Sequence, residues 1–271
     1  MFHRLAAYYD DLVGGKDYAL EARHLEALAG RLRRSTGRRW LDVACGTGRH
    51  LSYLRRHFEV RGIDRSPEML RVARRRLPGV RLEVGDMRTF RLNAEFDVVS
   101  CLFSAIGHLR SERELGATFA NFQRHLKPGG IVIVEPWIDP ADFRPGFVHA
   151  MARESPSASV VRMAFSSRQG RRSLVHFHYL IGAPGRRVQH FEEVDLGLLV
   201  PRARLCALMR RAGLTARFLR KGLPSGRGLL VGRKRYAPRA AGRAGQRSFR
   251  RSRPVNRPAS RRSGIRKRRA V

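Results

Sequence analysis

Apolar positions in the first half of the chain fall into two alternating patterns. Short, nearly continuous apolar runs are followed by stretches whose apolar residues return every three or four positions, the periods of strand and helix. Arg38-Arg39-Trp40-Leu41-Asp42-Val43 reads as a strand ending in Ala44-Cys45-Gly46-Thr47-Gly48, and Leu51, Leu54 and Phe58 then mark a helix face. A second strand over 59–64 ends at Asp64 and leads to Ser66 as N-cap, Pro67 at the first helical position and Glu68 in the first turn. Leu70, Ala73 and Leu77 share one face of that helix before Pro78-Gly79 stops it. Residues 80–84 and 96–102 are further predicted strands, the second continuous enough to be central and parallel. Leu115, Phe119, Phe122 and Leu126 mark another helix, which Lys127-Pro128-Gly129-Gly130 ends before a strand over 131–135. Five strands with interleaved connections predict a doubly wound, Rossmann-like α/β sheet.

After Glu135 the rhythm changes. Three β-rich runs, 158–166, 172–181 and 187–199, are separated by the hairpin-like turns Arg168-Gln169-Gly170 and Pro184-Gly185. They predict an antiparallel β insert, at about 150–200, following the fifth strand. A last helix carries Leu205, Leu208, Met209 and Ala212, with Gly213 as its stop. Runs at 214–220 and 228–233 are expected to close the main sheet antiparallel.

Composition separates a tail from this body. Residues 236–271 hold 13 Arg or Lys and no acid, with little to bury, and read as a disordered, self-repelling appendage. The folded domain is therefore expected over 1–235. The formal net charge of +34 points to anionic partners, so the tail is a candidate for non-specific contact with nucleic acid or an anionic surface. Only five of the 56 basic residues are lysine, a bias that weakens the tail as evidence for a nucleic-acid substrate. Cys45, Cys101 and Cys206 contain no CxxC pair, which argues against a disulfide framework and a cysteine zinc site; no metal is expected. Three unpaired thiols, no long apolar span and no apolar leader in MFHRLAAYYDD predict a cytoplasmic protein.

The loops carry the chemistry. Gly46 and Gly48 sit at a strand-to-helix turn, where glycine lets backbone approach a ligand closely. The third glycine of a dinucleotide site is absent, Leu51 standing there, and no GxxxxGK[ST] motif occurs. Asp64 lies 18 residues beyond Gly46, a spacing that suits a carboxylate gripping both hydroxyls of a ribose. Asp86 is placed to meet an adenine amino group, with Met87 and Leu102 sandwiching the ring. The three acids Asp42, Asp64 and Asp86, in register with successive strand ends, closely resemble a class I S-adenosylmethionine-dependent methyltransferase.

The resemblance narrows along the chain. Tyr8-Tyr9-Asp10, Gly15-Lys16-Asp17-Tyr18, LDVACGTG at 41–48, GDMRTF at 85–90, FSAIGHL at 103–109, VEPW at 134–137, VHFHYL at 175–180 and PSGRGL at 224–229 are similar to the N-methyltransferases that dimethylate thymidine-diphosphate amino sugars of macrolide antibiotics. This likeness covers roughly residues 5–233. It has no counterpart for the basic tail, or for a tyrosine on the family's longer N-terminal arm. It implies that Tyr9, Tyr18, Ala44, Asp64, Asp86, Met87 and Leu102 line an S-adenosylmethionine site. It also implies that His108, Trp137, Arg168, His178 and Arg227 lie near the sugar nucleotide. Guanidinium groups suit a diphosphate. An imidazole, with an ordinary pKa near ~6.5, suits a proton taken from an ammonium, so His108 is the candidate catalytic residue.

Two other readings compete with an amino-sugar N-methyltransferase. One is an O- or N-methyltransferase of another small metabolite. The other is an RNA-binding or RNA-modifying protein that uses its basic tail. RNA amino-methyltransferases of this fold commonly carry an Asn/Asp-Pro-Pro-Tyr/Phe motif after the fourth strand, where this chain reads Ser100-Cys101-Leu102-Phe103. That argues against the RNA reading.

Overall fold

A computed structural model describes residues 8–12, 15–156 and 158–235. The tail assigned to 236–271 lies outside the described residues. Two sheets organise the rest. The larger has seven strands: β1 (Arg39–Val43), β2 (Glu59–Asp64), β3 (Arg81–Val84), β4 (Phe96–Cys101), β5 (Leu126–Val134), β10 (Leu214–Leu219) and β11 (Leu229–Lys234). Their spatial order is β10-β11-β5-β4-β1-β2-β3. β11 runs antiparallel to both of its neighbours, and the other pairings are parallel. The doubly wound sheet and its antiparallel closure are as the sequence predicts.

Helices cover both faces. α3 (Arg49–Leu54), α4 (Pro67–Arg76) and α5 (Glu112–Arg124) follow β1, β2 and β4, and α6 (Arg202–Arg211) precedes β10. Ser66 caps α4 by accepting from Met69 N at 3.2 Å, and Ser111 caps α5 by accepting from Glu114 N at 3.2 Å. Two helices before β1, the short α1 (Tyr9–Leu12) and α2 (Tyr18–Leu32), were not in the sequence reading. α2 packs Ala22, Leu25 and Ala29 against Trp40 and Leu54, and Asp17 caps it by accepting from Leu20 N at 2.8 Å. β5 starts at Leu126, so Lys127-Pro128-Gly129-Gly130 lies within the strand and not at a helix end. Among the described residues no helix is long and apolar enough to cross a membrane.

The smaller sheet is the predicted insert, with one strand more than expected: β6 (Val148–Glu154), β7 (Ser159–Gln169), β8 (Arg172–Gly182) and β9 (Gln189–Leu198), in that order. β6 shows almost no burial alternation, which is why hydrophobic periodicity misses it.

Buried polar groups lock the ends of the central strands. Asp97, fully buried on β4, accepts from Gly37 N at 3.0 Å, Arg39 N at 2.9 Å and Lys127 Nζ at 2.9 Å, tying β1, β4 and β5 together. Burial alone would raise its carboxyl, but the Arg39 amide and Lys127 hold it below the ordinary aspartate value. Its contribution is thus complete above the unfolded carboxylate range and lost as pH falls through the folded value. Asp97→Ala strands three donors and should destabilise the domain by about 2–4 kcal/mol at pH 7. In urea denaturation, that deficit should shrink as the pH is lowered to 3.

Candidate active site

Strands β1 and β4 are neighbours, yet the chain leaves them toward opposite sides of the sheet, which opens a crevice at their carboxyl ends. The loop after β1 bends sharply there. Ala44, Gly46 and Gly48 take positive φ of 59°, 55° and 75°, a conformation that costs a residue with a Cβ about 1–2 kcal/mol. A Cβ on Gly46 would meet no protein atom within 4 Å, so this stretch of backbone is bare toward the crevice. Gly48 is needed for a different reason: a Cβ there would stand 2.6 Å from Leu77 Cδ1, against the packed face of α4.

Asp64, at the end of β2, is aimed by two backbone donors. Its Oδ2 accepts from Gly46 N at 2.8 Å and its Oδ1 from Ser66 N at 2.8 Å. Burial raises its pKa, and lone pairs remain on both oxygens for hydroxyl donors. Asp86, after β3, is clasped by Arg88, whose Nε reaches Oδ1 at 2.9 Å and whose Nη2 reaches Oδ2 at 2.6 Å. This clasp holds its carboxyl below the ordinary value. Met69, Met87 and Leu102 supply apolar wall to the same crevice. α1 closes over the glycine loop: Asp10 accepts from Thr47 Oγ1 at 2.8 Å and pairs with Arg76 Nη2 at 2.5 Å.

The loop after β4 is more strained. Phe103 and Ser104 both adopt left-handed backbone, at φ 51° and 60°. Fully buried Glu135 restrains the turn, its Oε2 accepting from Phe103 N at 2.7 Å, while Ser104 Oγ donates to Pro136 O at 2.7 Å. The reversal feeds a 3-10 turn, Ala105–His108, that presents His108. His108 Nδ1 lies 3.1 Å from Asp195 Oδ1 of β9, off the straight N–H···O line, so the contact is an ion pair when the ring is charged. Trp137 packs obliquely against His108, its Nε1 donating to Ser173 Oγ of the insert at 2.7 Å. Arg227 Nη1 donates to Ser104 Oγ at 3.1 Å, and the guanidinium lies 5.5 Å from the Trp137 ring.

One cavity of about 510 Å³ joins these parts. Of the residues singled out in the sequence, Tyr9, Ala44, Gly46, Asp64, Asp86, Met87, Leu102, His108, Trp137 and Arg227 line it. Asp42 and Tyr18 stand behind the lining. Asp42 is buried on β1, where Ser100 Oγ donates to it at 2.6 Å, and Tyr18 packs edge-on against His50. Burial pushes the Asp42 carboxyl up to about 6 and the Tyr18 phenol up to about 12. Two residues lie elsewhere. Arg168 turns back on its own hairpin, donating to Gly170 O at 2.9 Å. His178 falls on the outer face of β8, because alternation along the strand sends Phe177 and Tyr179 inward.

The insert contributes lining residues that sequence reasoning missed: Arg162 of β7, Phe177 and Tyr179 of β8, and Asp195 of β9. The available signal was the two-residue period, in which Glu193, Asp195 and Gly197 share a face with Phe191. Burial lowers the Arg162 guanidinium and raises the Tyr179 phenol, which therefore stays protonated at neutral pH.

A family model described as a methyltransferase domain matches residues 41–130. The dTDP-3-amino-3,4,6-trideoxy-alpha-D-glucopyranose N,N-dimethyltransferase of Streptomyces venezuelae is 43% identical over 219 residues, covering 80% of this chain and 92% of that protein. The chain belongs to the dTDP-amino-sugar N,N-dimethyltransferase family. Among solved structures, Streptomyces venezuelae DesVI shares 40% identity at a TM-score of 0.80, covering 87% of this chain and 98% of that one. SAM-bound CalS10, an amino pentose methyltransferase from Micromonospora echinaspora, shares 37% identity at a TM-score of 0.74, with 86% and 98% covered.

Two predictions test how this dimethyltransferase-family site is held. A Cβ on Gly197 would stand 2.6 Å from Ser173 Oγ and overlap the Trp137 indole, so Gly197→Ala should push Trp137 off the insert. The variant should fold, and its turnover should fall about tenfold or more, read from steady-state kinetics beside a circular dichroism spectrum. Asp42, with its folded value near 6, is protonated in both states at low pH, whereas above that value folding must bury a carboxylate. Asp42→Asn should therefore raise the unfolding free energy at pH 8 by about 3 kcal/mol, and bring little gain at pH 4.

Proposed function

We propose that the protein transfers methyl groups from S-adenosylmethionine to the amine of a dTDP-linked deoxyamino sugar, in two rounds that yield the dimethylamine. The observation that carries this reading is the single cavity running from Gly46, Asp64 and Asp86 to His108, Trp137 and Arg227. S-adenosylmethionine, when bound, supplies an electrophilic methyl on a sulfonium. The bare backbone at Gly46, the aimed carboxylate of Asp64 and the apolar walls at Met87 and Leu102 fit its ribose and adenine. In that role Asp64 accepts from the ribose hydroxyls. Asp86 keeps acceptor capacity for an adenine amine beside its Arg88 contacts.

At the other end of the cavity the acceptor must present a neutral amine. With Nδ1 facing Asp195, His108 has Nε2 left to take the ammonium proton, and Asp195 stabilises the imidazolium that forms. Arg227 and Arg162 are cations in a partly apolar wall, and a diphosphate offsets the desolvation they carry. Trp137 and Phe177 provide flat apolar surface, and Tyr179 provides a hydroxyl donor. Positioning and exclusion of water account for most of the acceleration in such a transfer, so a strong base is not required. We assign residues 236–271 no part in the transfer and treat 1–235 as the catalytic unit; any contact of the tail with an anionic surface is accessory.

Mass spectrometry on a panel of acceptors tests the reading: dTDP-amino sugars, simple amines, hydroxylated aromatics and RNA. The full chain and a chain truncated after Arg235 should both add two methyls to an amino-sugar nucleotide. His108→Asn should lower kcat by ~10²-fold, and Arg227→Ala should mainly raise KM, because a diphosphate contact is alike in ground and transition states. Transfer confined to RNA or to hydroxyl acceptors would overturn the substrate class. Retained transfer with Asp64→Ala at unchanged S-adenosylmethionine affinity would overturn the cofactor-site assignment.

A further inference from the structure

The outer face of the insert carries chemistry that methyl transfer does not use. β8 and β9 pair antiparallel with His178 directly opposite Glu192, and His190 stands two residues before Glu192 on the same face. His178 Nδ1 lies 3.3 Å from His190 Nε2 and 3.6 Å from Glu192 Oε1, and His190 Nε2 lies 3.8 Å from that same oxygen. Among the described residues these three form one compact group of metal-ligating atoms. A tetrahedral Zn²⁺ with ligand bonds of about 2.0–2.1 Å sets its donor atoms about 3.3–3.4 Å apart. The triad is therefore within a few tenths of an ångström of one face of such a tetrahedron.

We infer that His178, His190 and Glu192 form a binding site for a first-row divalent transition ion, Zn²⁺ being the commonest fit to two imidazoles and a carboxylate. The strand ladder does the pre-organising. His178 and Glu192 are a cross-strand pair, and His190 reaches His178 along the diagonal, so the three Cα positions are held by the sheet before any ion arrives. The two rings lie nearly parallel, at 8°, so closing on one ion needs rotation of an exposed imidazole about χ2, a broad and inexpensive torsion. All three side chains are about half exposed or more, which leaves the fourth position to water and gives the ion a path in. Bound there, the ion would staple β8 to β9 from behind, on the strands whose other faces carry Tyr179 and Asp195. Neither cysteine nor close sequence spacing announces the site, because His178 meets the other two only through strand pairing.

Chelator-stripped, full-length protein titrated with ZnCl₂ by calorimetry should bind one ion per chain. His178→Gln and His190→Gln should each weaken that affinity by more than about 100-fold, beyond what loss of an outer-shell partner brings. His176→Gln, on the same outer face one pair further along β8, should leave it within about threefold. Co²⁺ added to the unmutated protein should give visible absorption bands of a tetrahedral site that Zn²⁺ displaces, a readout independent of whether the variants fold. Absence of a saturable one-to-one isotherm, absence of the Co²⁺ bands, or undiminished affinity in His178→Gln and His190→Gln would each overturn the site.

Discussion

Two strands that lie side by side, β1 and β4, must send their chains away in opposite directions, and the site is built on the turns this forces. Leaving β1, the backbone passes through three left-handed residues in five positions; leaving β4, it passes through two in succession. Glycine absorbs part of that demand, but Ala44, Phe103 and Ser104 do not escape it. Their strain persists because neighbours over-determine the turns. Asp64 holds Gly46 N, and Glu135 holds Phe103 N from a position with no exposure to solvent. The same two carboxylates thus fix the glycine loop and the turn that presents His108. A rigid crevice of this kind suits a reaction in which two reactants must be aligned more than activated.

Charge is organised around the same scarcity. With 22 acids against 56 Lys and Arg, a carboxylate in this chain commonly serves several cations or donors. Asp10 takes Thr47 and Arg76, Glu114 takes Arg88 and the Arg110 amide, and Glu112 takes Arg171 and Arg204. Exposed clasps such as those of Glu112 are worth little individually. The more enclosed acids of the main sheet differ: buried Asp42, Asp97 and Glu135 and half-buried Asp64 stand at or near strand ends, and of these Asp97 alone is held at the amino edge of the sheet, away from the crevice. The cavity lining is more evenly balanced than the chain, with Arg65, Arg88, Arg110, Arg162 and Arg227 facing Asp64, Asp86, Glu114 and Asp195.

Much of the main sheet was legible because its residues obey simple rules. β4 is buried at every position and reads as a central strand, and Ser66-Pro67 announces α4 with both a cap and a pre-set φ. The acids at the strand ends were legible for the same reason, since a strand's last residue is easy to locate once its apolar run is seen. Helix α2 was not, because its apolar stripe is diluted by Glu21, Arg23, His24 and Glu26, and what holds it is packing on Trp40 that only the fold supplies. Glu21 illustrates the point. It is a buried acid on that helix, which looks out of place until His50 and Lys16 are seen at 2.7 and 2.8 Å.

The insert was legible as strands and misleading as a surface. Alternation normally assigns the apolar positions to the inside. Here β7 exposes Val161, Met163 and Phe165, and β9 exposes Val194 and Leu196, while Arg162, Glu193 and Asp195 turn the other way. The inversion has a physical cause. Part of the inward face of this sheet lines the cavity, through Arg162, Phe177, Tyr179 and Asp195, and cavity linings carry ionic and hydrogen-bonding groups that a dry core excludes. On β7 and β9 polar residues therefore take some of the positions that hydrophobic ones would fill in a sandwich, whereas β8 keeps the ordinary arrangement, with Phe177, Tyr179 and Ile181 inward beside Val160. His178 lies outside by ordinary alternation: it belongs to the row of Met163 and Glu192, whereas Tyr179, its neighbour in sequence, belongs to the row of Arg162 and Phe191. A strand reads the same from either side, and only the location of the cavity decides which side is in.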